Sequence, residues 1–343
     1  MKAVVIDSFG GPEVLRMQER AVPEPGPGQV RVKVRACGVC RHDVLTRAGA
    51  FPKIPLPVVL GHQVTGTIDA VGSGVNDISI GQRVLSLQFE GCGECDMCRQ
   101  DAVAHCVHRP KFLGEDMDGG YAEYMVARRD VWVPLPDALS FEAGAVATCV
   151  LGTAFHAITT RAAAKAGETA VVTGASGGVG LHALQVLKLC GVRAIAVTTS
   201  PAKEALLRGE GADEVVVARD GKFAGEVKAL TGGRGADFVV EMVGGQGIAE
   251  SIHALRPQGR VVLVGNVKGD LVTLSPAYFI LKEVSLIGTK AVTRKEMATV
   301  LDLVARGLLH PKVGRILPLD GAGQAHRDME AGAGPARTVL QVS

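Results

Sequence analysis

Four of the chain's eight cysteines stand in one short run, Cys92-x2-Cys95-x2-Cys98-x7-Cys106. Two Cys-x2-Cys steps in series place thiolates on tight turns where backbone N–H groups can support them. Four thiolates complete a tetrahedral zinc site with no position left open. Such a site does no chemistry. It holds together a lobe, residues 91–107, without a core of its own, because metal binding supplies folding energy. His105 and His108 flank the run but are not needed as ligands. Disulfides are the alternative use of these thiols, and they need an oxidising compartment. The opening Met1-Lys2-Ala3-Val4-Val5-Ile6-Asp7 carries an acid in its first apolar run and no signal-peptide core. The expectation is a soluble, cytoplasmic protein with reduced cysteines, of which Cys37 and Cys190 read as small buried hydrophobes.

A second motif follows an apolar run, Thr169–Thr173: Gly174-Ala175-Ser176-Gly177-Gly178-Val179-Gly180, leading into an apolar helix. Glycines let the backbone turn tightly and approach a pyrophosphate, which the helix N-terminus faces. A lone glycine-rich match is weak, but this one follows a strand, opens a helix and begins a βαβαβ series. An NAD site would place Asp or Glu at the end of the next strand, on the ribose 2′-hydroxyl. That region reads Thr198-Thr199-Ser200-Pro201-Ala202-Lys203. Without a carboxylate, Thr199, Ser200 and Lys203 suit a 2′-phosphate, and NADP(H) is expected over NAD(H). The plainer reading of Lys203 is a solvated helix-start residue.

The elements that must position these groups fall into two textures. Residues 1–150 carry short apolar runs broken by Gly and Pro, and Gln29–Ala36 alternates as a half-buried strand. Val58–Val71 and Arg83–Gln88 read as further strands of an all-β barrel or sandwich. Residues 151–292 alternate strands and helices, with strands at Thr169–Thr173, Val192–Thr198, Glu214–Ala218, Asp237–Val243, Arg260–Gly265 and Val284–Gly288. Six strands complete a dinucleotide fold. Residues 293–343 open with a helix and close with a strand, Thr338–Val342.

The 343 residues, 47% apolar and 21% charged, make an ordinary globular chain with room for two domains. A net charge of +2 without a basic run points to neither nucleic acid nor an anionic membrane. No apolar stretch is expected to reach the roughly 18 residues that span a bilayer.

Three further residues sit in distinctive contexts: Cys37-Gly38-Val39-Cys40-Arg41-His42-Asp43, Leu60-Gly61-His62-Gln63, and Thr148-Cys149-Val150-Leu151-Gly152-Thr153-Ala154. Composition alone does not group Cys40, His62 and Cys149. With the four-cysteine run and the glycine loop, however, these motifs resemble the zinc-containing medium-chain dehydrogenase/reductase family over essentially the whole chain. The opening Phe9-Gly10-Gly11-Pro12-Glu13-Val14-Leu15 is similar to its quinone-reductase branch. The glycine loop, the Thr198-Thr199-Ser200 segment and Gly265-Asn266-Val267 resemble archaeal acryloyl-CoA reductases.

The resemblance implies an α/β architecture, a GroES-like β-barrel catalytic domain plus a Rossmann doubly wound parallel sheet. It implies two zinc ions per chain. Cys40, His62 and Cys149 would hold the catalytic one, and Asp43 would hydrogen-bond His62 and fix its tautomer. Arg41 and Arg337 would reach the cofactor pyrophosphate, Thr153 would help position the nicotinamide, and Val243, Gly244, Gly265 and Asn266 would line the nucleotide crevice. The chain departs from the family at two places. His42 stands where alcohol dehydrogenases carry Ser or Thr; it is either a proton relay or a bulky pocket wall. Gln63 replaces the Glu that commonly follows the ligand histidine, leaving the site more positive. Phe51, Phe89, Leu113, Met117 and Tyr278 are candidate substrate contacts, and Tyr121 and Tyr124 are expected at the barrel edge.

The expected activity is hydride transfer between NADP(H) and an alcohol/carbonyl pair on a small-molecule substrate. The alternative is reduction of an activated C=C, such as that of acryloyl-CoA. A nucleotide-binding protein without turnover is the third reading. The segment Leu271–Leu281 corresponds to the family's usual subunit edge, which implies a homodimer or homotetramer.

Overall fold

The computed structural model describes residues 1–266, 269–332 and 336–342, and in it the chain divides into two units. The first holds Met1–Cys149, Ala291–Gly307 and Pro311–Ser343; the second holds Val150–Lys290 and Leu308–His310. Val267, from the Gly265-Asn266-Val267 motif, lies outside the described residues.

The first unit is organised on Gln29–Gly38. Val30, Val32, Val34 and Ala36 are buried, whereas Arg31, Lys33 and Arg35 on the other face are less so. Each fully buried valine contributes about 1.5–3 kcal/mol of transfer free energy. The seven-stranded sheet runs in the order Trp132–Pro134, Arg83–Ser86, Val64–Val71, Gln29–Gly38, Arg337–Gln341, Val313–Pro318, with Tyr124–Arg128 also paired to Gln29–Gly38. Its core gathers Ile6, Val32, Leu60, Ile68, Met125 and Trp132.

Two expectations change here. The strand expected over Val58–Val71 is split into Val58–Val59 and Val64–Val71. Gly61, at φ +101, lies in the break, where an added Cβ would stand 2.6 Å from the Tyr121 ring and 2.7 Å from Cys37 Sγ. That left-handed turn breaks the ladder and carries His62 out of it. The strand Val313–Pro318 and the helix Ala322–Glu330 went unread, because the strand is mostly exposed and shows no apolar alternation.

The second unit is built on a six-stranded parallel sheet in the order Glu214–Val217, Arg193–Thr198, Thr169–Val172, Ala236–Glu241, Leu255–Leu263, Ser285–Gly288. Strands Thr169–Val172 and Ala236–Glu241 are buried along their whole length, as central strands of parallel sheets covered on both faces are. In sequence order this is the 3-2-1-4-5-6 arrangement of a dinucleotide-binding sheet.

One further correction concerns length. The helical run Phe141–Arg161 has 21 residues and a mean hydropathy of 1.4, enough to cross a membrane by length and composition alone. Of its most apolar window 67% is buried inside the protein, as in a core helix.

Candidate metal centres and nucleotide site

Cys40 ends the extended stretch after Gln29–Gly38 and is the N-cap of the helix Arg41–Arg47. The cap is reciprocal: Asp43 Oδ2 accepts from Cys40 N at 2.7 Å, satisfying a first-turn donor. The other oxygen, Asp43 Oδ1, lies 2.9 Å from His62 Nδ1, so Nε2 is the nitrogen left for a ligand. Cys149 comes from a wide, π-type turn, Ala147–Leu151, a distortion frequent at functional sites. The ligand atoms of Cys40, His62 and Cys149 all lie within 4.8 Å of one another.

The electrostatics of this trio are coupled. Cys40 is held well below the ordinary thiol range by the Cys149 S–H and, against burial, by the Arg337 and His62 charges. Hydrogen bonding to Cys40 and burial push Cys149 up. Burial works to lower His62, but Asp43's charge and hydrogen bond outweigh it and hold His62 well above its ordinary value. A half-buried cysteine, a buried cysteine and a buried histidine converging from three segments, with a carboxylate on the far side of the ring, are the donor set of a three-ligand zinc site with an open position.

Around it the structure adds groups that were not anticipated. Tyr121 is fully buried rather than at an edge. Its hydroxyl donates to Asp43 Oδ2 at 3.3 Å and lies 3.2 Å from His326 Nε2. Burial lowers His326 to about 4, so it is neutral near pH 7. His42 Nε2 lies 2.8 Å from Glu115 Oε1, close but not aligned as a hydrogen bond, and Thr46 Oγ1 donates to the same oxygen. The His42 ring stacks on Phe51 at 4.9 Å between centroids and tilts against Phe112 at 4.7 Å. Phe112 also meets His62 and Phe89. Of the other expected substrate contacts, Leu113 is fully buried, Met117 packs against the core and Tyr278 in the second unit bonds His253. Gln63 is fully buried, and neither amide atom has a hydrogen-bond partner among the described residues.

The four-cysteine run folds around Asp96–Arg99 and brings all four sulfurs within 4.8 Å of one another. Cys92 and Cys98 Sγ are 3.9 Å apart, Cys95 and Cys106 Sγ 3.8 Å. A tetrahedron with Zn–S bonds of about 2.3 Å has edges of about 3.8 Å. Cys95 N donates to Cys92 Sγ at 3.3 Å and Cys92 N to Cys106 Sγ at 3.4 Å. Backbone N–H groups of Cys98 and Val107 lower Cys95 to about 6, while burial raises Cys98 to about 12. All eight cysteines are free thiols. A further grouping, Cys92 with Glu94 and His108, reuses Cys92 and is otherwise exposed.

In the second unit, Gly174 at φ +55 turns the chain after Thr169–Val172, and the helix Gly178–Leu189 begins at Gly177. No side chain caps it, so its first-turn donors face the loop and suit a phosphate. Gly180 packs on Ala175, whose backbone leaves no room for a Cβ. Ser176 and Val179 are half-buried in this loop. The strand Arg193–Thr198 ends without a carboxylate; Thr199 is exposed and Ser200 and Lys203 are half-buried. Val243, Gly244, Gly265 and Asn266 follow the ends of Ala236–Glu241 and Leu255–Leu263, and Thr153 lies in Gly152–Phe155. Arg41 and Arg337, both in the first unit, hold the carbonyls of Met329 at 2.8 Å and Val39 at 2.7 Å.

Family models match two stretches: an alcohol dehydrogenase GroES-like domain over residues 26–137 and a zinc-binding dehydrogenase domain over 178–306. The acryloyl-coenzyme A reductase of Metallosphaera sedula is 38% identical over 322 residues, covering 93% of each chain. The chain belongs to the medium-chain dehydrogenase/reductase family. Among solved structures, that of AibC superposes with a TM-score of 0.94 at 40% identity, covering 100% of this chain and 96% of that one. An NAD-dependent alcohol dehydrogenase gives 0.93 at 36% identity, with both chains fully covered. This medium-chain dehydrogenase/reductase is thus an NAD(P)-dependent oxidoreductase, with a GroES-like domain joined to a Rossmann-like parallel sheet.

Proposed function

We propose that the protein is a zinc-dependent NADP(H) oxidoreductase acting on an alcohol/carbonyl pair. The observation that carries this reading is the convergence of Cys40, His62 and Cys149 within 4.8 Å, with Asp43 on His62 Nδ1. Zinc held by these three side chains supplies Lewis acidity toward a carbonyl oxygen, and the nicotinamide supplies or accepts hydride. The chain's own residues do the rest. Asp43 keeps the His62 Nδ1 proton in place, so that Nε2 stays a donor pair. Arg337, beside Cys40, favours the thiolate form. His42 relays the substrate proton, with Glu115 Oε1 close to its Nε2 and Phe51 and Phe112 fixing its ring. Thr199, Ser200 and Lys203 favour the 2′-phosphate of NADP(H), and the uncapped helix at Gly177 takes the pyrophosphate.

A second reading has its own support. The 38% identity to an acryloyl-coenzyme A reductase favours reduction of an activated C=C. NADPH oxidation with a panel of aldehydes beside acryloyl-CoA separates the two. Turnover with aldehydes that is lost on metal removal supports the first; turnover with the enoyl thioester alone replaces it with the second. NADPH binding without its oxidation by either class makes the protein a non-catalytic nucleotide binder.

The chain also presents apolar side chains to solvent at one edge of the second unit: Leu271 is 98% exposed, Ile280 73% and Leu281 81%. They lie before and within the helix Ala277–Lys282, which leads to the edge strand Ser285–Gly288. We propose self-association there, as a homodimer or homotetramer. Light scattering checks it: a monomer at micromolar concentration rules it out.

A further inference from the structure

Glu241 ends the strand Ala236–Glu241 and is fully buried. Its Oε1 accepts from three donors: Thr173 Oγ1 at 2.8 Å, Val243 N at 2.8 Å and Gly244 N at 3.0 Å. Oε2 accepts from Ser251 Oγ. Thr173 Oγ1 in turn accepts from Met242 N at 2.9 Å. The main-chain oxygen of Glu241 accepts from Val264 N at 2.9 Å and Gly265 N at 3.3 Å. One residue therefore ties together the C-terminal ends of three neighbouring strands, Thr169–Val172, Ala236–Glu241 and Leu255–Leu263. This is the edge of an open parallel sheet where dinucleotides bind.

The turns joined in this way lie close together, through the Val243 side chain at Gly174 and through backbone at Gly244 and Gly265. A Cβ on Gly174 would stand 3.2 Å from Val243 Cγ2; one on Gly244 would stand 2.9 Å from Asn266 Cα; one on Gly265 would meet the Met242 carbonyl oxygen. The Glu241 carboxylate bonds both Thr173 and the Val243–Gly244 backbone, and the Glu241 main-chain oxygen bonds the Val264–Gly265 backbone, so the spacing of these turns depends on this one residue. A buried carboxylate costs several kcal/mol unless donors satisfy it, and here four donors do so.

We infer that Glu241 is a positioning residue for the nicotinamide nucleotide. It does not touch the cofactor; it sets the turns at Thr173–Gly174 and Met242–Gly244 against which the cofactor rests. The inference rests on the nucleotide occupying the crevice beside Gly174–Gly180. Replacing the carboxylate by a neutral amide weakens three charge-assisted bonds at Oε1 while preserving shape. Thr173→Val removes one of those donors, and the acceptor of Met242 N, without changing volume much.

The test is fluorescence titration of NADPH and NADH against wild type, Glu241→Gln, Thr173→Val and Ser251→Ala, with steady-state kinetics for the same set. The expected result is an increase of about tenfold in cofactor Kd and KM for Glu241→Gln and Thr173→Val. Turnover at saturating cofactor should stay within about twofold, and Ser251→Ala should bind within about twofold of wild type, because it bonds only Oε2. Unchanged cofactor Kd in both Glu241→Gln and Thr173→Val, with wild type binding tightly, overturns the inference. So does a loss confined to kcat. A wild type that binds neither nucleotide overturns the underlying cofactor placement first, and the inference with it. Should Glu241→Gln fail to fold, Thr173→Val carries the test alone.

Discussion

Asp43 does two jobs with its two oxygens. Oδ2 caps the helix at Cys40 while Oδ1 holds His62 Nδ1, so one side chain orients two of the three converging donors. Asp43→Asn keeps the shape but offers an amide nitrogen to one of these donors. We expect zinc affinity and turnover to fall by about 10–100-fold, read by metal content after dialysis and by steady-state kinetics, with the fold intact by circular dichroism. Unchanged metal retention would separate Asp43 from the metal centre. Asp43 was legible in the sequence only through family resemblance, and its other partners were not legible at all. Tyr121 reaches the Asp43 carboxylate and His326 reaches the Tyr121 hydroxyl across long chain separations, and no local spacing announces such contacts. Glu115 escaped for the same reason: it is an ordinary loop carboxylate until the fold brings it to His42 and Thr46.

At the scale of elements, breaks in regular structure matter as much as the structure itself. Gly61 interrupts a strand and so delivers His62. Gly61→Ala must hold an L residue at φ +101 and place a Cβ 2.6 Å from the Tyr121 ring. A loss of roughly 1–3 kcal/mol is expected, measured by urea unfolding, together with weakened metal retention because His62 moves. In sequence the segment reads as one strand, because apolar residues continue on both sides of the turn.

The second unit's sheet is fastened at its other end by Asp237, which accepts from Arg234, Arg256 and Thr169 N. Burial pushes this carboxyl up, but those donors outweigh it and hold it well below the usual carboxylate range. A depressed folded-state value means its stabilisation is fully present above the unfolded value near 3.9 and is lost as pH falls toward the folded one. Asp237→Asn should therefore cost about 1.5–3 kcal/mol at neutral pH and flatten the acid side of the stability curve below about pH 5. Parallel denaturation curves for the two proteins across pH 7 to 3 would discount the ion cluster.

For the whole molecule, the two cysteine-containing centres differ in what the sequence could say. The run Cys92 to Cys106 is local, so its spacing alone is diagnostic. Cys40, His62 and Cys149 come from separate segments, and only the fold or a family likeness joins them. Their loss should also differ. Cys98→Ser is expected to loosen the 91–107 lobe, seen as faster proteolysis there and a lower melting temperature, with the nucleotide affinity of the second unit unchanged; equal cleavage in mutant and wild type would remove the structural role of that cluster. The alternating strands and helices of residues 151–292 were readable because parallel strands buried on both faces leave long apolar runs, while the exposed strand Val313–Pro318 left no such trace.

The crowding of glycines around the proposed nucleotide crevice also tells a protein engineer where to work. Gly174, Gly244 and Gly265 abut neighbouring turns so closely that diversity at these positions would mostly produce unfolded or cofactor-blind variants. Thr199 is exposed and Ser200 and Lys203 are half-exposed, beyond the end of Arg193–Thr198. A library meant to redirect coenzyme choice should freeze the first group and randomise the second.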